Sequence, residues 1–532
     1  MELHFKAINV HLQDTSAYKW TVTEHGCVRG YAYVGGSLLQ GEALLTYLLN
    51  AATRNELEQM FSGLEGIYSI ILELPFGIAA CVDQARSLPL FYRTGNGPVE
   101  LYDALEHHAL SGASLDEDMV SVFQSSVFVP NDKTCFQNFY QIQTGHYAIL
   151  SDGQVHQYPH FKMTYAETQI TDIDEACQYL DKLYSQTFRR TVELLNGRTA
   201  VIPLSGGHDS RLVAFYLKER LGYSNIIAYS YGSPGNDEAS YSEKVAEILG
   251  IPWHFVYSDP EEMRELYRTQ AKDYLMMSGN GTSMPHLQEW YHVYKLKQRG
   301  VLPEDSVFVP GYAGDFTAGE FMWRDVAQIP CITPETIMEF RHRDEFRPYY
   351  LIGKRDVPRS EACIRAIRGC MCDEFPELQD SSRVFTPKEA ALMIEQAVLN
   401  GWYSKFIANA VRVFDYFGYQ WLMPFFERTQ FDGWSKIDNT LRRHENGYFE
   451  FARRIYPQKL EDLGYSKAQS MDWAQMKEII MKERPYYFNY TYGYFGADIE
   501  EDFYKGIAQN RLKGPCVYIL EDYLRFLNEI CK

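Results

Sequence analysis

Over the first 160 residues, apolar positions come in short alternating runs: Tyr31–Val34, Gly66–Leu72, Ile78–Val82, Pro89–Tyr92 and Tyr147–Leu150. Broken by turn signals such as Asp152-Gly153, this pattern predicts an antiparallel, sheet-rich unit, interrupted by a helix from Glu42 to Leu49. Beyond residue 172 the period changes. Residues 172–195 read as a helix, Ala200–Leu204 as a strand, and a helical pattern (Leu212, Val213, Phe215, Tyr216, Leu217) begins just after Asp209 and Ser210. Asn225–Tyr231 reads as a second strand, Glu238–Leu249 as a helix closed by Gly250, and Trp253–Tyr257 as a third strand. Strands alternating with helices build a parallel sheet through right-handed crossovers, with ligands outside the carboxyl ends of its strands. Leu204, Ser205 and Ser230 stand at such ends. Val307–Val309 is a further strand, followed by Pro310, glycines and Asp315. The chain then turns helical, and Thr386-Pro-Lys-Glu389 opens one helix with an N-cap, a proline at the first position and a capping-box glutamate. The fold class expected is α/β: a sheet-rich sandwich at 1–160, then a parallel-sheet unit with a helical C-terminal part at 172–532.

The junction Ser205-Gly-Gly-His-Asp-Ser210 concentrates the candidate chemistry. Glycines let the backbone approach a ligand, serines add donors, and the helix start favours an anion, so a phosphate suits the turn. No G-x-x-x-x-G-K-[ST] string occurs, so this is not a Walker loop. The string resembles the pyrophosphate loop of ATP pyrophosphatases (adenine nucleotide α-hydrolase-like folds), which split ATP into AMP and pyrophosphate. That resemblance implies ATP bound by Leu204, Ser205, Gly206, Gly207, Asp209, Ser210 and Ser230, with Asp209 on Mg²⁺, a cation that prefers hard oxygen ligands. His208 is read as a spacer.

Composition narrows the partners. A net charge of −19 argues against a nucleic-acid partner, which needs a basic footprint, and none is expected. The most apolar segment, Gly66–Val82, is broken by Glu73 and Pro75, so no membrane span is expected. Met1-Glu-Leu-His-Phe-Lys6 lacks a signal-peptide pattern, and ten irregularly spaced cysteines fit a reducing, cytoplasmic compartment. Cys370-Met-Cys372 has no histidine near it and reads as ordinary thiols.

The run Leu64–Ile70 followed by Asp83–Tyr92 resembles the amino-terminal glutaminase domain of asparagine synthetases, an Ntn-hydrolase-type sandwich. That domain uses a cysteine exposed at its amino terminus. Position 2 here is Glu2 and the first cysteine is Cys27, so a scaffold without glutaminase chemistry is implied. Two further strings are similar to the same family. Pro310-Gly-Tyr-Ala-Gly-Asp-Phe-Thr-Ala-Gly319 matches at Gly311, Asp315 and Gly319, which implies Gly311 near AMP and Asp315 as the second Mg²⁺ carboxylate facing Asp209. Tyr312 and Phe316 replace the family's two glutamates. Arg412 and Gly418-Tyr-Gln-Trp-Leu-Met-Pro-Phe-Phe-Glu427 match the third string, with Gln420 in place of a glutamate and no lysine clearly matching the one that the family keeps further on.

The resemblance implies an AMP-forming amide ligase: ATP adenylates a small-molecule, sugar or peptide carboxylate, and ammonia or an amine attacks. Amidation of surface polysaccharides is one such role; ring closure like that of β-lactam synthetases or lasso-peptide cyclases, or a catalytically silent scaffold, are the alternatives. With the family's glutamate and lysine missing, Arg412 and Tyr312 are expected to face the AMP site near Asp315, with Tyr312 lining the acceptor pocket. The competing reading of Arg412 is a salt bridge to Asp415 or Glu427. The aromatic stretch 484–495 reads as packed surface or a subunit contact, which would suit a homodimer.

Overall fold

The computed structural model describes the chain apart from residues 6–7, 16, 96, 106, 152, 235, 320–328, 345–359, 465–477, 479–493, 496–514 and 532. The alternating runs of the first 160 residues form two facing sheets. One runs, in spatial order, Glu2–Phe5, Ile8–His11, Val99–Tyr102, Phe91–Arg93, Phe139–Gln141. The other runs Gln154–Pro159, His146–Ser151, Gly77–Val82, Glu65–Leu74, Gly26–Val34, Thr21–Thr23, with Ser37–Gln40 paired to Gly26–Val34. Val10, Tyr92 and Leu101 of the first meet Cys27, Ile71, Ala80 and Leu150 of the second. Residues of opposite parity in the second sheet, such as Val28, Ile70 and Leu72, are covered by Leu44, Leu57 and Phe61 of the helices Gly41–Leu48 and Arg54–Ser62. A sheet buried on both faces explains why Glu65–Leu74 reads as almost continuously apolar. The strand expected at Pro89 starts at Phe91 instead. Side chains hold the preceding segment: the Leu88 carbonyl accepts from Ser69 Oγ and the Pro89 carbonyl from Arg29 Nη2.

After the helix Ile173–Leu195, capped by the Asp172 carboxylate, the chain builds an all-parallel sheet. Its strands are numbered here in chain order: β1 (Ala200–Pro203), β2 (Ile226–Gly232), β3 (Trp253–Tyr257), β4 (Val307–Phe308) and β5 (Gln420–Trp421). Their spatial order is β3-β2-β1-β4-β5. The winding reverses between β1 and β4, and a crevice opens there at the carboxyl ends of the strands. The sequence therefore delivers the Ser205 turn and the Gly311 turn to one place.

The helix Pro387–Val398 carries the expected capping box between Thr386 and Glu389. It runs straight into a π-helical stretch, Leu399–Ile407, and a 3₁₀ turn, Ala408–Val411, before the helix Arg412–Phe417. Hydrophobic spacing does not forecast such widening, which is frequent at functional sites. Among the described residues no helix is long and apolar enough to cross a membrane. Of the aromatic stretch 484–495, Tyr494 and Phe495 are described and buried, and Tyr494 Oη donates to the Leu287 carbonyl; the rest lies outside the described residues.

Candidate active site

Leaving β1, the chain folds the Ser205–Ser210 turn on its own hydroxyls. Ser205 N–H donates to Ser210 Oγ (3.0 Å), the two serine hydroxyls lie 2.9 Å apart, and Gly207 N–H donates to Ser205 Oγ (3.2 Å). The helix His208–Phe215 then starts from Gly207 with no side-chain cap over its positive end. His208 is buried among Tyr448, Phe449 and Tyr456, and burial, then Arg211, lowers its imidazole to about 3. The ring is held neutral at the edge of the cavity into which the turn opens.

The turn after β4 packs directly against this one. A Cβ on Gly311 would stand 2.5 Å from Ser210 N, and one on Gly314 would stand 2.6 Å from Asp209 Cγ. Glycine at both places lets Asp315 N–H reach Asp209 Oδ2 (3.2 Å). Tyr448 Oη donates to the other Asp209 oxygen (2.6 Å), and Tyr403 Oη (3.1 Å) and Phe316 N–H (2.7 Å) donate to Asp315 Oδ1. Phe316, standing where the resembling family has a glutamate, stacks on Tyr403 at 4.2 Å between ring centroids and fixes that phenol. Burial first, and Asp315 second, push the Asp209 carboxyl well above the usual carboxylate range. Such a pair is strained as two anions and relieved by a shared cation, so the donor set fits Mg²⁺. Among the described residues no group of three or more His, Cys, Asp or Glu could hold a metal ion. Two carboxylates suffice for a Mg²⁺ that arrives on substrate phosphates.

Both turns open into a cavity of about 720 Å³, within the range of small-molecule sites. Leu204, Ser205, Gly207, Asp209, Ser210, Ser230, Gly311, Tyr312 and Asp315 all line it. Gly206 does not; it is buried, and its carbonyl accepts from Arg211 Nη2. The expectation for Arg412 is corrected. Arg412 is absent from the described lining, donates to Asp415 Oδ2 (2.5 Å) and to the Ser87 carbonyl, and lies over the Trp421 ring. It pins the helix Arg412–Phe417 to the amino-terminal unit, because a buried guanidinium needs a carboxylate and acceptors around it.

Residues 184–301 match the model of the asparagine synthase family, a span that includes the Ser205–Ser210 turn. Within the chain, 57 residues are 35% identical to 7-cyano-7-deazaguanine synthase of Lysinibacillus sphaericus (strain C3-41), a stretch that is 11% of this chain and 26% of that enzyme. Residues 184–301 of this chain are thus similar to the asparagine synthase family, and the chain spans about a quarter of the length of the curated relative it matches. Solved structures similar to it include glutamine phosphoribosylpyrophosphate (PRPP) amidotransferase from B. subtilis complexed with ADP and GMP, at 12% identity, 55% of this chain, 62% of that chain and a TM-score of 0.17. Another, the allosteric regulatory enzyme of purine biosynthesis, shows 13% identity over 55% of each chain, also with a TM-score of 0.17.

The asparagine synthase match ends before Asp315, and neither it nor the sequence motifs single out Glu289. This buried residue lines the cavity, accepting Tyr229 Oη at 2.5 Å and Tyr312 Oη at 3.2 Å. Burial raises its carboxyl to about 7, against the lowering effect of the two phenols. In sequence it is one glutamate just before the helix Trp290–Gln298, indistinguishable from an acid placed to suit a helix start. Tyr312 is the signal that could have found it, since a buried phenol calls for an acceptor.

Proposed function

We propose that this chain is an ATP-dependent amide ligase that forms AMP and pyrophosphate, activating a substrate carboxylate as its acyl-adenylate for attack by ammonia or an amine. The observation carrying the reading is the meeting of Asp209 and Asp315 beside the serine-rich turn at the sheet's switch point. Asp209 and Asp315 would hold Mg²⁺, which when bound neutralises charge on the pyrophosphate. The helix start at His208 and the hydroxyls of Ser205 and Ser210 face the same phosphates. Ser230 and Leu204, at the ends of β2 and β1, line the wall expected to receive the nucleoside. Residues 1–160 serve as a glutaminase-like scaffold: Cys27 is fully buried, and burial, then Asp103, pushes its thiol up, away from the thiolate a nucleophile needs.

Pyrophosphate release with Mg²⁺, ATP and a panel of carboxylic acids tests the reading. Asp209→Asn is expected to lower turnover by on the order of a hundredfold, about 3 kcal/mol of transition-state stabilisation, while far-ultraviolet dichroism is unchanged. Turnover within a few-fold of the parent would overturn it.

A further inference from the structure

The carboxylate of Glu289, between two phenols in the cavity wall, has no part in holding pyrophosphate. Four other carboxylate residues line the same cavity: Asp209 and Asp315, assigned above to the cation, and Glu238 and Glu445. A second carboxylate on the substrate would find no lysine or arginine among the described residues of this wall. A cation would meet a carboxylate and the hydroxyls of Tyr229 and Tyr312.

Building on the ligase reading, we infer that the nitrogen donor is a primary amine entering as its ammonium ion, seated on the Glu289 carboxylate beside Tyr229 and Tyr312. Tyr312 leaves the same turn as Asp315, so a donor on Glu289 sits next to the bound phosphates. Glu289 takes one proton from R–NH₃⁺, giving R–NH₂ and a neutral carboxyl. The nitrogen lone pair forms the C–N bond at the acyl carbon, the acyl C–O bond to phosphate breaks, and its electron pair leaves with AMP. The nitrogen's second proton is released to solvent. Burial holds the Glu289 carboxyl close to neutrality, where it can accept a proton and return it. The other titratable groups around it are the phenols of Tyr229, Tyr312 and Tyr274 and the cavity-lining His286, which burial keeps neutral with a pKa of about 4.

The test is binding to the full-length protein with Mg²⁺ and α,β-methylene-ATP, read by calorimetry and thermal shift. n-Butylamine is expected to bind, with n-butanol and butyrate at least tenfold weaker. Glu289→Gln should weaken n-butylamine at least tenfold while keeping the stabilisation given by the nucleotide analogue, which also reports that the variant is folded. In the parent protein, amine binding should weaken as pH falls through about 7, where Glu289 takes up a proton. Butanol or butyrate binding as tightly as the amine, or amine affinity indifferent to both Glu289→Gln and pH, would overturn the inference. Failure of the nucleotide analogue to bind the parent protein would instead strike the ligase reading. 6-Aminohexanoate distinguishes the amine's sources: tighter binding than n-butylamine places amine and carboxylate on one molecule, and equal binding places them on two, each outcome supporting an ammonium site.

Discussion

Glu289 illustrates what a single environment does to a side chain. Burial raises its carboxyl to about 7, outweighing two donated hydrogen bonds. If it is the base, kcat/KM for the amine should rise with pH through about 7, as the carboxylate form becomes the populated one. Glu289→Gln should remove that ascending limb and cost 10²–10⁴-fold. A profile with the same limb in the variant would assign the titration elsewhere. The two glycines of the second turn act by absence of volume. Gly311→Ala and Gly314→Ala each place a methyl in space held by Ser210 N or the Asp209 carboxyl, and both should lower pyrophosphate release at least tenfold by parting the two turns. Release by either variant at the parent's rate would show that the turns need not touch. The Ser205–Ser210 turn is readable in sequence because its hydrogen bonds are local, made among consecutive residues. Glu289 is not, because its partners Tyr229 and Tyr312 lie 60 and 23 positions away and only the fold unites them. Arg412 left two readings open for a related reason: a motif position says which helix carries the guanidinium, not which way it points, and the structure turns it to Asp415.

Among the elements, the parallel strands and their helices follow from periodicity, and the order β3-β2-β1-β4-β5 puts the site where such an order requires. The π-helical stretch Leu399–Ile407 has no such signature. It turns Lys405 into the interior, where Nζ donates to the Val129 and Asn131 carbonyls at 2.7 and 2.8 Å. Burial, with Arg86 assisting, lowers its ammonium to about 7, despite Glu374, Asp132 and Cys370 nearby. The unfolded chain binds this proton up to about pH 10. Between about 7 and 10 the unfolded state therefore holds one more proton, so stability rises with pH there, and the penalty is complete below 7. Unfolding free energy of the parent should climb by about 1.4 kcal/mol per pH unit more steeply than that of Lys405→Met in this window, measured by urea denaturation. Equal slopes would mean that Lys405 keeps its proton in the folded protein.

At the scale of the molecule, the sheet-rich unit is joined to the cavity's framework by specific bonds. Tyr18 Oη donates to the Trp421 carbonyl (2.6 Å), Gln84 Nε2 to the Phe426 carbonyl (2.8 Å) and Arg412 to the Ser87 carbonyl. Purified protein is expected not to hydrolyse glutamine, because Cys27 is sealed between the two sheets; glutaminase activity abolished by Cys27→Ala would contradict this. The sandwich was legible from alternation within 1–160, whereas its dependence on later residues was not, since contacts between distant segments leave no periodic trace.

One of those contacts is made by the backbone itself. Val129 N–H donates to the Thr282 carbonyl, Cys135 N–H to the Gly281 carbonyl and Met284 N–H to the Val127 carbonyl, with Phe128 and Ser283 bridged between them. Synthesis proceeds from the amino terminus, so when residue 160 leaves the ribosome the segment 127–136 still lacks the loop 281–284 that accepts and donates these bonds. For the time needed to add some 120 more residues, about 6–25 s at ordinary elongation rates, that edge stands open to any chaperone or neighbouring nascent chain. Chains stalled with 160 residues exposed should be cut by protease near 127–136, and those stalled with 300 exposed should resist.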